Sequence, residues 1–239
     1  MKVIVTFFCC LLSLVLANAS FAQSNYSQTN FRLLQSTYSD ISTTGTAISM
    51  TNTESGVSNT PQNIGFNFVF NGITFTQFMI HADGILRLGT AAPGAATDIT
   101  VSPANSHAAV FTSTAANFQN VLLPFFTNLV KGAADPEFHI LVSGTAPNRV
   151  CTIQWKNLRD ADNASGGSQH QFANLEFQVK LHETTNDIEF VYGAWVTSAG
   201  SIPAFQRNAA SGIKASSSSF LALYRPSSLT KFEKTELLT

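Results

Sequence analysis

The chain predicts an all-β fold, an antiparallel two-sheet β-sandwich of jelly-roll-like type, and three observations carry that prediction. In residues 172–182, Ala173, Leu175, Phe177, Val179 and Leu181 alternate with Asn174, Glu176, Gln178, Lys180 and His182, a period of two that sends one face to a core and the other to water. Residues 66–75 repeat the pattern around Asn71-Gly72, a pair suited to a type I′ turn because both central positions need positive φ. No stretch of convincing length carries the 3.6-residue period of an amphipathic helix, and no segment repeats.

The elements follow in chain order. Residues 1–22 read as a secretory signal: Lys2 opens it, an apolar run covers 3–16, and Ser20-Phe21-Ala22 is a small-x-small cleavage site before Gln23. That run is short for a bilayer span. Cys9 and Cys10 lie in it without the small-residue context of a lipoprotein site, so no lipid anchor is expected. Removing 22 of 239 residues leaves 217, and 23–239 is expected to be a single domain with a sizeable core. Residues 23–63 are rich in Ser, Thr and Asn, with apolar pulses at 31–34 and 47–50 that predict edge strands between long loops.

Residues 64–89 fix a register. The Asn71-Gly72 turn sets Phe70 opposite Ile73 and Phe68 opposite Phe75. At Ala82-Asp83-Gly84, a three-residue loop with Gly84 left-handed sets Ile80 opposite Leu86 and Phe78 opposite Leu88, which suits the apolar pattern better than a two-residue turn. Facing must then change between Phe75 and Phe78, so a bulge is expected near Thr76 or Gln77. Residues 90–120, poor in apolar residues apart from Val110-Phe111, are expected to wander over the surface. Residues 121–126 read as a buried strand in which Pro124 marks an edge or a bulge. Strands are expected at 137–143 and 149–157, the second with Cys151, Ile153 and Trp155 on one face, then a long polar stretch to 171. After the turn at 183–187, where Asn and Asp tolerate the left-handed conformation, Ile188, Phe190 and Tyr192 resume the alternation. Residues 216–224 close the chain as a last strand.

Composition excludes some tasks. Without Lys2 the chain holds 12 basic and 14 acidic side chains, a net charge of −2 with no basic stripe, so nucleic acid is not an expected partner. Only Cys151 remains beyond the signal, so no intramolecular disulfide forms and stability must come from packing, with the Phe residues, 20 in the full sequence and 17 beyond residue 22, as its main material. No integral membrane segment is expected after signal cleavage.

The segments 65–72, 82–89, 144–149 leading into 154–157, and 177–186 with 188–193 together resemble one module, the N-terminal β-sandwich domain of large secreted and cell-surface proteins of Bacteroidota. Such domains are usually followed by fibronectin-type or Ig-like repeats and a type IX secretion sorting domain. The resemblance covers about 31–224. It implies a sandwich and an extracellular setting, and carries no catalytic residues with it. Members often hold an apolar-Trp-Asp-Asp segment where this chain has Pro124-Phe125-Phe126-Thr127-Asn128, so any role of those carboxylates is not carried over. No repeats or sorting domain follow in this sequence, so surface attachment by that route is not expected.

Candidate chemistry is sparse. His182-Glu183-Thr184-Thr185-Asn186 starts like a zinc-protease motif, but it lacks the second His and sits on a hairpin turn, where residues four apart share no face. No nucleophile elbow, phosphate-cradling loop or Cys–His signature is present, so no catalytic residue is assigned. Asp160, Asp162 and Asn163, on a loop rich in glycine and alanine, are the candidate oxygen ligands for calcium, a hard cation; a merely solvated loop is the commoner form of such a sequence. Trp195 has the parity of Glu189 and is the candidate ligand-binding residue, an aromatic platform for a sugar ring if it faces solvent and a core residue if a strand or loop covers it. Otherwise no cofactor is expected. The expected function is a secreted, non-catalytic interaction or adhesion module, extracellular, cell-surface or periplasmic, with a glycan or a protein as partner. The alternative is a secreted hydrolase or an accessory domain of one, because the same architecture hosts both.

Overall fold

The computed structural model describes residues 26, 32–34, 36–99, 107–162, 170–198, 209–223 and 235–238. The signal reading at 1–22 lies outside them. Two antiparallel sheets face each other. The larger runs in the order β1 (Arg32–Leu34), β15 (Thr235–Leu238), β11 (Ile188–Tyr192), β10 (Phe172–His182), β9 (Val150–Asp160), β8 (Glu137–Ser143), β2 (Thr46–Ala47), with β12 (Val196–Thr197) beside β10 and β7 (Leu129–Lys131) beside β9. The smaller runs β14 (Ser219–Ala222), β13 (Ala210–Ser216), β6 (Val121–Phe126), β5 (Ile85–Leu88), β4 (Ile73–His81), β3 (Gln62–Phe70). Among the described residues helical structure is limited to three short 3-10 turns.

The alternating positions meet between the sheets. Phe68, Phe70, Phe78, Ile80, Leu86 and Ile213 of the smaller sheet pack against Ile153, Trp155, Phe177, Val179, Leu181 and Phe190 of the larger. Trp155 is fully buried, stacks on Phe177 at 5.4 Å and donates its indole N–H to the His81 carbonyl at 3.0 Å. Cys151 lies in the same core, where burial pushes its thiol pKa far up, so it is an inert packing residue.

Several register expectations hold: Phe70 pairs Ile73, Phe68 pairs Phe75, Ile80 pairs Leu86 and Phe78 pairs Leu88. Gly84 closes the β4–β5 loop at φ 77°, and a Cβ there would lie 2.1 Å from the Phe125 carbonyl oxygen. Pro124 marks a bulge, between the Leu123–Gly212 and Phe126–Ala210 pairs, in a strand flanked by β5 and β13 and so not at an edge. Both early pulses contribute edge strands, β1 and β2.

Other expectations are corrected. The facing change between Phe75 and Phe78 is real, but the extra residues sit on β3, between Asn63 and Phe68 around Gly65 at φ 92°, and not at Thr76 or Gln77. β9 runs on to Asp160, past a left-handed Asn157 at φ 61°, into the stretch expected to be loop. Residues 210–222 form a β13–β14 hairpin where a single strand was expected at 216–224. The largest correction concerns 96–99 and 110–118. Ala96, Ile99, Val110, Phe111 and Phe118 pack on Ile85, Val121, Leu123 and Phe126, forming a second apolar core on the outer face of the smaller sheet. Sequence alone could not show this, because each apolar pulse there is one or two residues long.

Candidate functional site

The outer face of the larger sheet is where the alternation promised water, and the chain covers its centre instead. Cross-strand pairing sets His139, Gln154 and Gln178 in one row, and both glutamines are fully buried. The segment 39–42 lies across them. Gln154 Oε1 accepts from the Ile41 amide at 3.0 Å and from Gln178 Nε2 at 2.7 Å, while Gln154 Nε2 donates to Asp40 Oδ1 at 2.8 Å and Gln178 Nε2 to the Ser39 carbonyl at 2.6 Å. Lys156 Nζ reaches Asp40 Oδ2 at 2.6 Å. Burial works to raise the Asp40 pKa, but hydrogen bonds from Lys156, Ser42 and Gln154 together outweigh it and hold the carboxyl well below its usual range.

A second buried polar group joins the smaller sheet to its cover. Asp83, on the β4–β5 loop, accepts from the Ala96 amide at 2.7 Å through Oδ2 and from the Leu129 amide at 3.0 Å through Oδ1. Burial pushes its pKa up to about 6 against the lowering effect of those two amides. The neighbouring His81 Nδ1 accepts the Asp83 amide at 3.1 Å, so that nitrogen carries no proton. Burial lowers the His81 pKa to about 4, and its 3.4 Å approach to Asp83 Oδ2 is therefore not an ion pair at neutral pH.

Of the candidate binding residues, Asp160, Asp162 and Trp195 lie at one end of the sandwich. Asp160 is buried, and its two oxygens accept the Gln171 and Phe172 amides, each at 2.8 Å, closing the base of the loop that follows β9. Asp162 is engaged by Arg159 at 3.1 Å and His170 at 2.8 Å, which keep its carboxyl pKa low, His170 contributing most. Asn163 lies outside the described residues. Among the described residues no group of three or more His, Cys, Asp or Glu is placed to hold a metal ion. Trp195 is half-buried. Its ring meets Phe125 at 4.9 Å, Phe172 at 5.1 Å and Tyr192 at 5.4 Å, all edge-on, and its Nε1 donates to the Glu176 carbonyl at 2.9 Å. The outward parity does not carry to Trp195, because β11 ends at Tyr192 and the chain folds back over the core beyond Gly193.

The opposite end, at the β3–β4 and β10–β11 turns, carries a cleft of about 170 Å³ lined by Tyr26, Phe70, Asn71, Ser218, Ser219 and Phe220, among others. Tyr26 packs on Phe70 at 5.3 Å and its hydroxyl donates to the Asn186 carbonyl at 2.6 Å. Nothing in the sequence pointed here, because the lining comes from three distant stretches. Near the same end Glu183, the acid of the protease-like start, pairs with Arg149 through Arg149 Nε–Oε2 at 2.8 Å and Nη2–Oε1 at 2.5 Å, and the guanidinium sits 5.5 Å from the Phe66 ring centre. Glu183 is a turn clamp.

A family model described as NIDO related matches residues 28–238, nearly the whole sandwich. The chain belongs to the NIDO-related family. No curated protein and no solved structure matches it. The match places β1 through β15 of this NIDO-related domain inside one family unit.

Proposed function

We propose that this NIDO-related domain is a secreted, non-catalytic interaction or adhesion module that meets its partner with an end of the sandwich. The observation that carries the reading is the family match over 28–238, which fits an extracellular adhesion-type module. No described helix is long and apolar enough to cross a membrane. The ends are favoured because the centres of both outer faces are covered, one by residues of 96–99 and 110–118 and the other by 39–42, and loops on a rigid scaffold are where binding residues concentrate. The partner is a glycan or a surface protein, and the setting is that of large surface proteins of the Bacteroidota type. Calcium at Asp160, Asp162 and Asn163 would have to displace Arg159 and His170 from Asp162, so a rise in melting temperature with calcium over chelator would assign an ion to that loop.

The test is a screen of residues 23–239 against glycans and intact cell-surface proteins. Saturable binding that leaves the ligand unchanged supports the module. Release of sugars or peptides from the ligand favours the hydrolase reading instead.

A further inference from the structure

We propose that the cleft between the β3–β4 turn and the β13–β14 hairpin binds a single neutral sugar ring. The inference rests on the interaction-module reading in taking the ligand to be held and not turned over.

The chemistry of the lining selects the ligand. Half-buried Tyr26 supplies the aromatic wall: its ring rests on buried Phe70 at 5.3 Å, tilted 48°, and its hydroxyl is tied to the Asn186 carbonyl, so that wall is fixed before a ligand arrives. Phe220, 44% exposed, packs on Phe111 at 5.5 Å and adds an apolar surface beside the opening. A sugar presents a C–H face that packs on such rings. Its hydroxyls need amides and hydroxyls close by, and Asn71, Ser218 and Ser219 are the polar side chains of the lining. The described lining holds no charged side chain, which disfavours sugar acids and amines. Size sets the number of rings: about 170 Å³ is well below the roughly 300–1,000 Å³ of pockets for drug-sized molecules, so one ring fits and an oligosaccharide must run out of the cleft.

The experiment is amide chemical-shift mapping of residues 23–239 titrated with methyl glycosides of glucose, galactose, mannose and N-acetylglucosamine, with glucuronic acid and glucosamine as charged comparators. The expected result is saturable shifts at Asn71 and in 218–221 with at least one neutral glycoside. Phe220→Ala should weaken that binding about tenfold, the scale of one lost aromatic contact. Asn71→Gly, which keeps the positive-φ turn at φ 49° and removes the amide side chain, should also weaken it. Trp195→Phe should leave it unchanged. No shifts with any neutral glycoside, binding retained in both cleft variants, or tighter binding of a charged comparator would overturn the proposal. Shifts confined to the Trp195 end would overturn the cleft and leave the module reading intact, whereas a glycoside hydrolysed during the titration would overturn the module reading.

Discussion

The two outer faces of this sandwich are both covered, and by opposite chemistry. On the smaller sheet, Phe111, Phe118 and Val110 lay apolar surface on Val121, Leu123 and Phe126, a second core that gains from the removal of apolar area from water. On the larger sheet, residues 39–42 contribute buried Ile41, but they are held chiefly by Gln154, Gln178 and Lys156. Hydrogen bonds of that kind contribute about 1 kcal/mol each in exchange for bonds to water, so the second cover is the weaker one. The difference shows that a sandwich can close its faces without making them equally permanent.

Breaking the apolar cover should have the largest effect. Phe118→Ala is expected to cost about 3–5 kcal/mol in denaturant unfolding, because Phe118 is 1% exposed and packs on Phe126. The polar joint beneath that cover is expected to show in pH dependence. His81, held neutral with its pKa lowered to about 4, contributes stability that is lost as pH falls from about 6.5 to about 4. Asp83, raised to about 6, contributes in the opposite sense, stability that is lost as pH rises from about 3.8 to about 6. In the intact domain the two largely cancel. Relative to wild type, Asp83→Asn should therefore lose stability toward acid over that window and His81→Asn should lose it toward neutral pH, by about 3 kcal/mol each, measured as unfolding free energies at pH 4 and 6.5.

Breaking the polar cover should matter less. Gln154→Leu strips the Ile41 amide and Gln178 of their acceptor and should cost about 1–3 kcal/mol, a cost limited by release of 39–42 into water. The smallest effect is expected of Trp195→Phe, which keeps an aromatic against Phe125 and Phe172 and loses one hydrogen bond to Glu176, about 1 kcal/mol in thermal melting. These last two sharpen the comparison: a Gln154 variant as damaged as Phe118→Ala would mean the two covers are equivalent.

What was legible in the sequence is what depends on neighbours along the chain. The alternation in β3 and β10, the Asn71-Gly72 register, the left-handed Gly84 and the Pro124 bulge are local rules, and they held. The covers were not legible. Gln154 and Gln178 occupy the positions a water-facing strand gives to polar residues, and only the distant Ser39, Asp40 and Ile41 make them buried. The parity argument at Trp195 meets a related limit, since it is valid only while the strand continues and β11 ends at Tyr192. The cleft joins Tyr26, Phe70 and Phe220, residues that no spacing rule connects.

The central claim, that one outer face is sealed as a core and the other by a strap, is tested most directly by native-state hydrogen exchange at two amides. The Ala96 amide donates to buried Asp83 under the apolar cover, and the Ile41 amide donates to Gln154 within the strap. The account predicts that Ala96 exchanges only with global unfolding, whereas Ile41 exchanges by local opening at a clearly lower free energy. Equal protection at the two sites, or faster exchange at Ala96, would contradict it.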